Sequence, residues 1–122
     1  MRPEMRMRPL LGAAALTVLL TAALPVPLAS QQSDVILQDF EFRPAVTRLT
    51  VGEYGPGVQV RWVNNGPSTH TVTAEGGTFD SKELARGAAF SFRFEAPGTY
   101  DYRCNIHSAM KGQIVVTLTG GY

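Results

Sequence analysis

The stretch Pro97-Gly98-Thr99-Tyr100-Asp101-Tyr102-Arg103-Cys104-Asn105-Ile106-His107-Ser108-Ala109-Met110-Lys111-Gly112 decides the fold. Pro97-Gly98 is a turn signal, and Tyr100, Tyr102 and Cys104 then fall on one face of a period-two strand. Asn105 and Ser108 are turn-tolerant, so the chain bends straight after Cys104. Gly112 releases it into a last strand to Thr119, with Ile114, Val116 and Leu118 in register. A strand, a tight loop carrying Cys104, His107 and Met110 three residues apart, and a second strand therefore follow one another without a helix.

The same punctuation extends upstream. A first strand is expected over Val35 to Phe42, ending at Pro44, and a second over Val46 to Val51, stopping at Gly52. After the turn Glu53 to Gly57, Val58 to Val63 alternates Val58, Val60 and Trp62 against Gln59 and Arg61. Asn64-Asn65-Gly66-Pro67 reads as a loop, and His70 to Thr73 opens the next strand. Phe79 is expected to plug the core from a loop, with a short helical turn over Lys82 to Ala85. Phe90, Phe92 and Phe94 alternate with Ser91, Arg93 and Glu95, which places all three rings on one buried face. Seven or eight short strands spaced about 8–12 residues apart predict an all-β antiparallel sandwich or barrel. Its aromatic core is large enough to keep the metal-free chain folded.

The first thirty residues read differently. Arg2, Arg6 and Arg8 precede the uncharged run Leu10 to Leu24, and Pro25 and Pro27 break that run before Ser30. This is the pattern of a secretory signal peptide over 1–30, with an uncleaved membrane anchor as the alternative. The folded part, 31–122, then faces the periplasm or the extracellular space, and meets a membrane only if the leader is retained. Past the leader, eight basic residues face nine acidic ones, a net charge of −1 with interspersed signs. That balance excludes an electrostatic nucleic-acid binder. A monomer is expected.

The donor residues are few and gathered. The chain has one cysteine, two histidines and four methionines, three of which (Met1, Met5, Met7) lie in the leader. An unpaired cysteine in an exported chain is a special thiol or an intermolecular bridge, and metal ligation accounts for it. Two imidazoles, His70 and His107, one thiolate, Cys104, and a thioether, Met110, are the donor set of a blue-copper electron-transfer site. Zinc structural sites use Cys and His without Met. An enzyme is not expected: the chain is small for a substrate cleft, and its two histidines are already spent, leaving none for a multicopper cluster. The alternative function is a copper-binding carrier or buffer.

The run His70-Thr71-Val72-Thr73, followed by Gly77-Thr78-Phe79-Asp80-Ser81, Phe90-x-Phe92 and the opening stretch from Pro97 to Gly112, resembles the cupredoxins. Within them it is most similar to the plastocyanin/amicyanin group, the two-residue gap between His107 and Met110 matching the short amicyanin loop. The resemblance covers the whole segment after the leader. It implies an eight-stranded Greek-key β-sandwich with one type 1 copper ion on His70, Cys104, His107 and Met110. It further implies a carrier of single electrons between redox proteins, which dock where His107 presents its ring edge. Two departures stand out. Thr71 replaces the Asn that often follows the first histidine, and the ligand loop carries Ile106 and Ser108 in place of prolines.

Overall fold

The computed structural model describes residues 31–119 and, within the first thirty, residues 3–4, 12, 14–15 and 17–22. The expected signal peptide lies for the most part outside the described residues. Among the described residues no helix is long and apolar enough to cross a membrane.

Eight strands follow in order: β1 Gln32–Gln38, β2 Glu41–Arg43, β3 Val46–Val51, β4 Val58–Asn64, β5 Thr73–Ala74, β6 Ala89–Phe94, β7 Gly98–Arg103 and β8 Lys111–Leu118. They form two four-stranded sheets, ordered β2-β1-β4-β6 and β3-β8-β7-β5. Alternation dictates which faces meet. Val35 and Leu37 of β1, Val58, Val60 and Trp62 of β4, Leu49 and Val51 of β3, and Ile114 and Val116 of β8 all point into the shared core. Trp62 is fully buried at its centre and touches Phe79, Phe90, Phe94 and Tyr102. Phe79 fills the core from its loop as expected, with 4% of its surface exposed.

The sandwich is all-β with eight strands, and its sheets are mixed where antiparallel ones were expected. β1 pairs parallel with β4, and β3 pairs parallel with β8. A parallel pair needs a crossover between its strands. Here β2 and β3 supply it for the first pair by carrying the chain to the other sheet and back.

Three local expectations are corrected. The first strand does not run through to Phe42. Asp39 and Phe40 form a two-residue turn, and Leu37 faces Phe42 across a hairpin. The region Lys82 to Ala85 is not helical, because Leu84 is extended and pairs with His70 through two backbone hydrogen bonds of 2.7 and 3.1 Å. Of the three phenylalanines on β6 only Phe94 is buried; Phe90 and Phe92 are half-buried, since β6 is an edge strand.

Candidate metal centre

Cys104 follows the last residue of β7 and is completely buried. The turn after it is closed by its own backbone: Cys104 N–H donates to the Met110 carbonyl at 3.0 Å, and Met110 N–H donates to the His107 carbonyl at 2.9 Å. These two bonds fold the seven-residue loop back on itself. Met110 is thereby buried to 1% exposure at the same end of the sandwich.

His70 comes from a different segment, the loop between β4 and β5. It is fixed by the backbone pairing to Leu84 and has no exposed surface. Asn64, at the end of β4, organises that loop from within the core. Its amide donates to the carbonyls of Ser68 and Leu84, both at 2.8 Å, and its oxygen accepts the Gly66 N–H at 3.0 Å. An asparagine with three of its four hydrogen-bonding positions satisfied is a structural anchor, which explains its complete burial.

The structure brings His70, Cys104 and His107 together. The two Nδ1 atoms are 3.1 Å apart, and Cys104 Sγ lies 3.9 Å from His70 Nδ1 and 3.8 Å from His107 Nδ1. The point equidistant from the three atoms is about 2.1 Å from each, close to ordinary metal–imidazole and metal–thiolate bond lengths. Two imidazole nitrogens and a buried sulfur facing one point at bonding radius suit a metal ion, and the soft sulfur favours copper.

Neighbouring groups hold the donors. Thr71 N–H donates to Cys104 Sγ at 3.3 Å, a bond suited to a thiolate. The Thr71 hydroxyl accepts the Asn105 N–H at 2.8 Å, and Asn105 Nδ2 donates to Thr73 Oγ1 at 3.1 Å. A short hydroxyl thus ties the loop of His70 to the loop of Cys104.

On the far side of His70, Nε2 is 2.8 Å from Asp39 Oδ1. Asp39 also accepts the Ser68 hydroxyl at 2.7 Å and the Ser68 N–H at 3.4 Å. The Ser68 hydroxyl bond is the main influence holding the Asp39 carboxyl below its usual range; desolvation opposes it and the His70 ring adds to the lowering. Phe40, the next residue, lays its ring 4.7 Å from that of His107 and 6.3 Å from that of His70. Neither Asp39 nor Phe40 is expected at the site when β1 is read as continuous to Phe42. The signal that finds them is a change of parity, since Val35 and Leu37 face inward at odd positions and Phe42 at an even one.

A family model described as a cupredoxin-like domain matches residues 10–116. The chain belongs to the cupredoxin-like family. This cupredoxin is 32% identical over 89 residues to amicyanin-alpha of Methylorubrum extorquens, with 69% of this chain and 71% of that protein covered. It is 28% identical over 108 residues to the amicyanin of Paracoccus versutus, covering 81% and 77%. Among solved structures it is similar to a purple cupredoxin from Nitrosopumilus maritimus, with a TM-score of 0.62 at 23% identity over 70% of this chain and 99% of that one. The cupredoxin falls in the amicyanin-like group, and copper is the cofactor that both its family and its His70-Cys104-His107 cluster point to.

Proposed function

We propose that this cupredoxin carries single electrons between redox proteins outside the cytoplasm, through one type 1 copper held by His70, Cys104, His107 and Met110. The observation that carries the reading is the triangle of His70 Nδ1, His107 Nδ1 and Cys104 Sγ, whose common centre lies at bonding radius. Met110 would join them as a thioether donor, on the grounds of its burial and its backbone bonds to Cys104 and His107. Copper bound there supplies a one-electron couple between Cu(I) and Cu(II).

The chain's own part is to keep the donors still. His70 is buried and pinned by Leu84 and Asp39, while Cys104 is pinned by Thr71 and Met110. Donors that move little when the charge changes give a small reorganisation energy, which a carrier needs. His107 is the partly exposed ligand, and it is flanked by Phe40 at 58% and Ile106 at 46% exposure. That apolar rim is the surface on which a redox partner docks, and weak redox encounters bury less than about 1,200 Å². Export rests on the charged, apolar and proline-broken succession of residues 1–30.

The test is redox cycling of the copper-loaded protein. A carrier shows a reversible one-electron couple and rapid self-exchange broadening in NMR. A protein that binds Cu(I) tightly, shows no reversible couple and surrenders the ion to an acceptor is a copper carrier or buffer instead.

A further inference from the structure

We infer that Asp39 is a positioning residue of the metal centre: its carboxylate fixes which nitrogen His70 offers, and its negative charge biases the site towards the oxidised ion. This rests on the copper reading above and assigns a part to a residue that lies 31 positions from His70 in the chain.

The chemistry follows from the donors and acceptors present. An ionised carboxylate only accepts hydrogen bonds, so the ring nitrogen facing it at 2.8 Å must carry the proton. That proton sits on Nε2, and the lone pair is left on Nδ1, the nitrogen 3.9 Å from Cys104 Sγ and 3.1 Å from His107 Nδ1. Without the carboxylate, a neutral imidazole is free to carry its proton on Nδ1, the nitrogen that faces Cys104 and His107. A metal-bound imidazole whose other N–H donates to a carboxylate is also a stronger base towards the metal.

The surroundings are shaped to hold Asp39 in this place. Ser68 binds both its oxygens, the hydroxyl at 2.7 Å to Oδ2 and the N–H at 3.4 Å to Oδ1. Gly66 leaves the space it occupies: a Cβ there would come 2.7 Å from Asp39 Oδ1 and 3.1 Å from its backbone nitrogen. The Asp39 side chain is 21% exposed beside a His70 with none, so it is close to the low-dielectric interior. A fixed negative charge there favours Cu(II) over Cu(I), which lowers the reduction potential.

The experiment compares the whole chain with Asp39→Leu, Asp39→Asn and Ser68→Ala. In the metal-free protein, nitrogen NMR of the wild type shows His70 as the Nε2–H tautomer; Asp39→Leu shows a mixture. A wild type that is already a mixture overturns the assignment. In the copper-loaded protein, Asp39→Asn keeps an acceptor of the same shape and loses the charge. Its preference for Cu(II) over Cu(I) falls about tenfold, read as a reduction potential higher by about 59 mV. Ser68→Ala keeps the charge and does not raise the potential. An unchanged potential in Asp39→Asn, or an equal rise in both variants, overturns the charge assignment. A wild type that stays colourless with Cu(II) defeats the copper reading instead, and the tautomer measurement then still decides the part of Asp39.

Discussion

The backbone N–H of Thr71 donates to Cys104 Sγ at 3.3 Å, joining residues 33 positions apart through the atom that defines the site. Because the donor is backbone, the bond is indifferent to the side chain at position 71. The side chain has a separate task, its hydroxyl accepting the Asn105 N–H at 2.8 Å. Thr71→Val is therefore expected to retain a coloured copper site while leaving the Asn105 N–H without an acceptor. The expected cost is about 1–3 kcal/mol, read by denaturant unfolding of the metal-free protein. A variant of wild-type stability removes the hydroxyl from the account.

Gly112 faces Tyr102 across the β7–β8 ladder, and a Cβ at Gly112 would overlap the Tyr102 ring. The tyrosine lies flat over a position without a side chain, next to Trp62 and Phe42. Gly112→Ala must displace that ring within a packed core, at about 1–3 kcal/mol. The loss should be measurable in the metal-free protein, since it arises from the core. A neutral substitution would show that the Tyr102 ring has room to shift.

Tyr102 also sets the alkaline limit of stability. Burial pushes its phenol from the ordinary 10.0 up to about 12, with the Trp62 indole as the only opposing influence. Burial dominates, because neither the Tyr102 hydroxyl nor Trp62 Nε1 meets a partner at hydrogen-bonding geometry. Below pH 10 both folded and unfolded chains keep the proton, and this contribution is constant. Above it the unfolded chain ionises first, so stability falls as pH rises towards the folded value. The total is on the order of 2–3 kcal/mol. Unfolding midpoints at mildly and strongly alkaline pH should diverge for the wild type and less so for Tyr102→Phe; equal slopes would contradict the assignment.

Much of this architecture is written in local alternation. β3 is read to its last residue because Thr47, Leu49 and Val51 alternate with exposed neighbours. The loop from Cys104 to Met110 is read because its donors are few and closely spaced. What alternation does not carry is pairing between distant segments. The parallel partners of β1 and β3 lie beyond intervening strands, and nothing in either strand names them. The half-buried Phe90 and Phe92 follow from β6 being an edge, which is again a property of the sheet. Asp39 and Phe40, which support the site, escape a reading of β1 as continuous for a local reason. The step from odd to even inward positions between Leu37 and Phe42 marks the turn at Asp39 and Phe40, and a reading of β1 as continuous passes over it. Asn64 looks like an ordinary loop residue in sequence, and only its burial shows what it holds.

The most direct measurement is titration of the purified metal-free protein with Cu(II), followed by visible and EPR spectra, alongside Cys104→Ser. One equivalent should produce an intense visible absorption from a copper–thiolate bond in the wild type, and Cys104→Ser should lack it. A wild type that stays colourless, or a serine variant that keeps the colour, would contradict the convergence of these donors on one copper ion.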